Sequence, residues 1–122
     1  MLRAGHGWSS ILLVLLVVAG TSQLSLAHAI LVESTPKLNA AVKGPDVDIV
    51  LRFNVRIDGS RSRVRLSAPD GTVTTLILAR QTGPDSLQTH AAGLKPGAYK
   101  LQWNVLASDG HISRGEIPFT VN

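Results

Sequence analysis

Cysteine is absent from the 122-residue chain, and methionine occurs only as Met1. Without cysteine the chain cannot form a disulfide, so packing of the core, helped at most by a bound ion, must stabilise the fold. Thiolate and thioether sulfur are the ligands that favour soft ions such as Cu(I), and a chain that loses Met1 has neither. A metal site in such a chain therefore has to use nitrogen and oxygen donors.

A long hydrophobic run is also absent. The apolar segment 11–19 has nine residues, whereas a helix that crosses a bilayer needs about 20. Arg3 precedes this segment, and the small and polar residues 20–27 follow it. This three-part organisation is typical of a secretory signal peptide and not of a membrane anchor.

The cleavage site decides which residue begins the mature protein. Signal peptidase prefers small residues at the last and third-last positions before the cut, and Ser25 and Ala27 fit this preference if cleavage follows Ala27. Cleavage after Ala19 or after Ser25 is the alternative. We predict a signal peptide over residues 1–27, a mature chain that begins at His28, and a periplasmic or secreted location.

No helical period persists for ten residues after His28, whereas period-two alternation recurs between turn signals. Removal of 27 residues leaves 95, the size of one small domain. We therefore predict a single all-β domain over 28–122, a seven-stranded Greek-key β-barrel or immunoglobulin-like sandwich. The predicted strands are 29–34, 47–53, 63–68, 72–78, 87–91, 98–105 and 116–121.

The charge of the predicted mature chain is mildly basic, with eleven Lys and Arg against eight Asp and Glu. Arg61, Arg63 and Arg65 share one face of a predicted strand, with Arg56 nearby, and we interpret them as a solvated stripe. A dock for an acidic partner or an anionic membrane surface is the alternative. Nucleic acid is not expected, because no aromatic residue is interleaved among these arginines.

A histidine at the chain terminus has a chemistry that internal histidines lack. Its α-amino nitrogen and ring Nδ1 can close one chelate ring on a metal, and both lose a proton readily to a divalent cation. Asp109 and His111 are two residues apart, so in an extended segment they would point the same way. Together with His28 they offer three nitrogens and one oxygen. Tetragonal ligation by nitrogen and oxygen suits Cu(II).

Simpler explanations exist for each part of this candidate site. Asp109-Gly110 is a common hairpin-turn dipeptide between two predicted strands. His28 on its own is an ordinary residue near a cleavage site. The joint hypothesis gains weight because the terminus and the last interstrand loop can lie at the same end of a sandwich.

Other histidine and aromatic side chains are expected to be structural. His90 has no partner at ligand spacing, so we interpret it as a surface or packing residue. Tyr99, Trp103 and Phe119 are predicted core residues, and Trp103 has the alternative role of packing behind the metal-binding loop.

Several short motifs occur in a fixed order along the predicted mature chain. They are His28-Ala29-Ile30-Leu31, Ser34-Thr35-Pro36, Leu51 and Phe53 of one strand, the segment from Leu94 through Tyr99 and Trp103 to Ser108-Asp109-Gly110-His111, and Gly115, Phe119 and Val121. In this order and spacing they resemble the periplasmic copper-binding proteins of the CopC type, which are related to PcoC and YobA.

This resemblance implies a seven-stranded β-barrel or sandwich that binds one Cu(II) ion through His28, Asp109 and His111. It also implies a role in copper homeostasis or resistance beside a membrane partner of the CopD type, which we expect to be a separate chain. Some relatives hold Cu(I) in a methionine-rich loop, but the region 80–90 contains no methionine. A Cu(I) site is therefore not expected.

We predict a binding protein, not an enzyme. A small copper oxidase or monooxygenase is one alternative, since a terminal histidine and a second histidine also form the copper brace of lytic polysaccharide monooxygenases. Those enzymes present a broad substrate surface, and a carboxylate ligand would occupy a position that oxygen chemistry tends to leave open. A metal-free immunoglobulin-like interaction module is the other alternative.

Overall fold

The structure is a computed structural model that describes residues 28–122. The predicted signal peptide over 1–27 and its cleavage site lie outside the described residues. Eight strands form within the described part: β1 (Leu31–Thr35), β2 (Ala41–Val42), β3 (Val47–Phe53), β4 (Ile57–Ser67), β5 (Val73–Thr75), β6 (Ser86–Ala91), β7 (Gly97–Ala107) and β8 (Ile112–Val121).

The strands form two sheets that pack face to face around one core. The smaller sheet has the order β1-β3-β6, and the larger has the order β2-β8-β7-β4-β5. Neighbouring strands are antiparallel, except that β2 pairs with β8 in parallel. The predicted all-β sandwich is confirmed.

The core follows from the alternation of apolar and polar residues along β3 and β7. A strand turns successive side chains to opposite faces, so every second residue of each strand enters the space between the sheets. Phe53 of β3 packs edge-on against Trp103 of β7, with ring centroids 5.0 Å apart. The predicted core residues Tyr99, Trp103 and Phe119 are confirmed as buried. The other buried residues of the strands include Val47, Ile49, Leu51, Phe53, Val64, Leu66, Leu101 and Val105.

The structure has eight strands where seven were predicted, and the largest differences are at β2, β4, β5 and β8. β5 ends at Thr75 and not at residue 78. β2 was not predicted, because two residues are too short to show an alternating pattern. β4 begins at Ile57. Its first half was not predicted, because the register between Asp58 and Arg63 is irregular and interrupts the alternation of buried and exposed residues. β8 begins at Ile112, so the turn between β7 and β8 is much tighter than expected.

Residues 28–122 contain no helix that is long and apolar enough to cross a membrane.

Candidate metal centre

The hairpin between β7 and β8 positions two of the predicted ligands. The backbone N–H of Ala107 donates to the carbonyl of His111 at 2.8 Å, and the N–H of Gly110 donates to the carbonyl of Ala107 at 2.9 Å. Gly110 has φ 94°, a left-handed conformation that glycine adopts without a Cβ clash. Asp109 and His111 therefore lie in a tight turn and not in the extended segment that the sequence suggested.

Asp109 and His111 meet because the turn is closed by the aspartate side chain. Asp109 Oδ1 accepts a hydrogen bond from the backbone N–H of His111 at 3.1 Å. Asp109 Oδ2 lies 2.9 Å from His111 Nδ1. These two hydrogen bonds lower the pKa of the Asp109 carboxyl. The bond from the His111 backbone has the larger effect, and the bond from its side chain has the smaller one. Since Nδ1 faces the carboxylate, Nε2 is the His111 nitrogen available to a metal.

The first described residue, His28, lies against this hairpin. The rings of His28 and His111 have centroids 5.6 Å apart with an interplanar angle of 61°. Imidazole nitrogens bind divalent metals at about 2.0 Å, so two rings that share one ion have centroids roughly 4.5–6.5 Å apart. The two histidines, separated by most of the domain in sequence, are thus close enough for one metal ion.

Side chains alone do not complete a metal site. Within the described residues, no group of three or more His, Asp or Glu side chains is arranged to hold a metal ion. Both carboxylate oxygens of Asp109 are engaged by His111. The fourth donor that the sequence predicts, the α-amine of His28, is a free amine only when the chain begins there.

Two residues that sequence reasoning missed hold the segment next to His28. The backbone N–H of Ala29 donates to Ser113 Oγ at 3.0 Å. The backbone N–H of Ile30 donates to Asn54 Oδ1 at 2.7 Å. No local sequence pattern predicts a role for Ser113 or Asn54, because both hydrogen bonds join distant parts of the chain.

The other singled-out residues lie away from the hairpin or play structural roles. His90 is on the surface of β6, where its Nδ1 lies 2.8 Å from Asp48 Oδ1 at the beginning of β3. Trp103 is buried and packs against Phe53. The arginine stripe is exposed on β4, and Arg61 of this stripe lies 3.8 Å from the carboxylate of Asp58.

Comparison with known proteins gives consistent matches. A family model described as the CopC domain matches residues 31–122. Protein YobA of Escherichia coli strain K12 is 31% identical over 98 residues, which cover 78% of this chain and 79% of YobA. Copper resistance protein C of Xanthomonas campestris pv. juglandis is 31% identical over 117 residues, 88% of this chain and 91% of that protein. The crystal structure of CopC from Methylosinus trichosporium OB3b matches with a TM-score of 0.70 and 28% identity, over 78% of this chain and 94% of that one.

Proposed function

Because this chain belongs to the CopC family, we propose that it binds one Cu(II) ion in the periplasm and buffers it or delivers it to a membrane partner. One relative carries copper resistance in its name. The observation that carries the proposal is the approach of the His28 and His111 rings to 5.6 Å. Copper homeostasis or resistance is the corresponding cellular role, and the expected acceptor is a separate inner-membrane protein of the CopD type.

Cleavage after Ala27 is part of the proposal, since it converts the backbone nitrogen of His28 into an amine. The amine and ring Nδ1 of His28 then form one chelate, and Nε2 of His111 supplies the third nitrogen. Nitrogen and oxygen donors of this kind suit the tetragonal preference of Cu(II). The chain supplies no mature thiol or thioether for Cu(I).

Asp109 has two tasks in this proposal. Its bonds to His111 fix the ring so that Nε2 faces away from the carboxylate, as partners of metal-binding histidines commonly do. Nε2 lies on the far side of the ring from this carboxylate, so Asp109 reaches an ion bound at Nε2 only after its side chain turns away from Nδ1. In that metal-bound form Asp109 is the proposed oxygen donor, axial or equatorial. A carboxylate at this position favours a binding protein over an oxygen-activating enzyme.

The decisive experiment compares Cu(II) binding by processed protein that begins at His28 with a matched protein that carries one extra residue before it. We expect the extended protein to bind much more weakly and its EPR spectrum to show fewer nitrogen couplings, because its His28 has an amide in place of an amine. Equal affinity and an equal nitrogen count in the two proteins would exclude the amine as a ligand and refute the proposed site.

A further inference from the structure

Residue 29 is anchored from both its backbone and its side chain. Ala29 is only 4% exposed, so its methyl group is part of the core. Its backbone N–H donates to the Ser113 hydroxyl at 3.0 Å. Ser113 lies on β8, two residues after His111, and pairs across the sheet with Val105 of β7. The residue after His28 is thus fixed to the strand that begins directly after His111.

Residue 30 is anchored to the other sheet. Its N–H donates to Asn54 Oδ1 at 2.7 Å, and its carbonyl accepts the backbone N–H of Asn54 at 3.0 Å. Asn54 directly follows β3. Its loop is joined to the β7–β8 hairpin by a hydrogen bond that the backbone N–H of Ser108 donates to the carbonyl of Arg56 at 3.0 Å. Residues 29 and 30 precede β1 and are not paired with a neighbouring strand of the described chain. These hydrogen bonds therefore hold a segment that lies outside the sheets.

The first residues of a chain are usually poorly ordered unless something ties them down. A chelate that uses a terminal amine has to restrain that terminus, and restraint built into the metal-free protein lowers the entropy lost on binding. We propose that Asn54 and Ser113 are positioning residues that hold the processed N-terminus over His111 before the metal arrives. This inference rests on the proposed function, because it explains how the His28 chelate is pre-organised.

A purely structural role predicts a different outcome from a positioning role. Asn54 is exposed and Ser113 is half-buried, so neither side chain belongs to the core of the sandwich. Loss of these bonds should therefore loosen the terminus and weaken metal binding while the thermal midpoint stays close to that of the parent protein.

The test uses processed protein with Asn54→Ala, Ser113→Ala and both changes together. In the metal-free proteins, NMR order parameters of Ala29 and Ile30 are expected near ~0.85 in the parent and below about 0.6 in the double variant. The Kd for Cu(II), measured against a competing chelator, is expected to rise roughly 2- to 10-fold for each change. Thr120→Ala is the matched control, because it removes an exposed hydroxyl from the far end of the same strand.

Conservative variants separate positioning from general damage. Ser113→Thr keeps the hydroxyl and Asn54→Asp keeps the acceptor oxygen, so both should retain the order of residues 29 and 30. The inference is wrong if the double variant keeps both the order parameters of Ala29 and Ile30 and the Kd for Cu(II) of the parent. It is also wrong if the Kd rises while these order parameters stay unchanged. If the parent binds no Cu(II) but the variants lose order at Ala29 and Ile30, the proposed function fails while the anchoring role stands. If Ser113→Ala does not fold, Asn54→Ala in the exposed loop decides the question by the same measurements.

Discussion

At the scale of single residues, Asp109 is the organising group of the candidate centre. Its side chain closes the turn through the backbone of His111 and meets the ring of the same residue. An aspartate that bonds to the backbone two residues later is a common device of tight turns. The turn interpretation of Asp109-Gly110 is therefore compatible with a metal site at His111, because the bonds that form the turn also orient the histidine.

His111→Ala and Asp109→Asn are predicted to weaken Cu(II) binding to different extents. His111→Ala removes a nitrogen donor outright, so we expect a rise in Kd of at least about 100-fold. Asp109→Asn keeps the shape of the turn but replaces a charged oxygen by a neutral one, so a rise of about 10-fold is expected. Competitive titration of the processed proteins measures both values, and a His111→Ala protein that binds as tightly as the parent would eliminate this residue as a ligand.

Asp70 gives a prediction for the dependence of stability on pH. The backbone N–H of Thr72, which donates to Asp70 Oδ1 at 2.9 Å, lowers the pKa of this carboxyl in the folded protein. A lowered folded pKa contributes stability above the unfolded pKa of about 3.9, and this contribution is lost as the pH falls through the folded pKa. Asp70→Asn should therefore have a lower thermal midpoint than the parent at pH 6, with a difference that shrinks below about pH 4. A difference that is constant with pH would contradict this explanation.

At the scale of secondary-structure elements, the segment that leads into β1 and the β7–β8 hairpin form the candidate site together. β1 contains a register irregularity between Leu31 and Glu33, where Leu31 pairs with Phe53 but Glu33 pairs with Arg52. A bulge of this kind changes which side chains face the core. Sequence alternation alone therefore does not determine the course of β1, although it predicts β3 and β7 well.

Gly115 of β8 is predicted to be required for the packing of Trp103. The two residues are paired across β7 and β8, and a Cβ at position 115 would lie 2.3 Å from Trp103 Cζ2. Gly115→Ala should force the indole to move and lower the free energy of unfolding by about 1–3 kcal/mol. Denaturant unfolding followed by Trp103 fluorescence measures this change directly.

Gly83→Ala is the matched control for Gly115→Ala. A Cβ at position 83 would meet Ser86 Oγ at 3.1 Å, a contact that a small side-chain movement relieves. We expect its free energy of unfolding to change by less than about 0.5 kcal/mol. Similar losses in the two variants would show that the indole contact is not the cause.

At the scale of the whole molecule, charge is distributed unevenly over the two sheets. On the larger sheet, Arg63 of β4 and Arg114 of β8 flank Asn104 of β7, and Arg114 Nε donates to Asn104 Oδ1 at 3.0 Å. On the smaller sheet, Arg52 is paired with Glu33 at 3.1 Å. Arg114 of β8 thus extends the predicted arginine stripe of β4 across the larger sheet. We interpret this stripe as a solvent-exposed face.

Cu(II) is predicted to stabilise the processed protein as a whole. A ligand present at 100 times its Kd stabilises the folded state by about 2.7 kcal/mol. In a domain of this size each kcal/mol raises the thermal midpoint by about 4–8 °C, so a rise of roughly 10–20 °C is expected. The protein with one extra N-terminal residue should show a much smaller rise at the same Cu(II) concentration. Equal shifts would mean that the stabilising site does not include the terminal amine.

The fold class, the alternating core residues of β3 and β7, and the chemical types of the candidate donors can be predicted from the amino-acid sequence. These follow from local causes, since the burial of one strand face imposes alternation and the donor set is a matter of residue identity. The contact of His28 with His111 depends on how the chain folds in three dimensions. So do the hydrogen bonds by which Asn54 and Ser113 anchor Ala29 and Ile30. Those bonds span 84 residues for Ala29 to Ser113 and 24 for Ile30 to Asn54. No local pattern encodes such pairs, because they form only when the two sheets have packed.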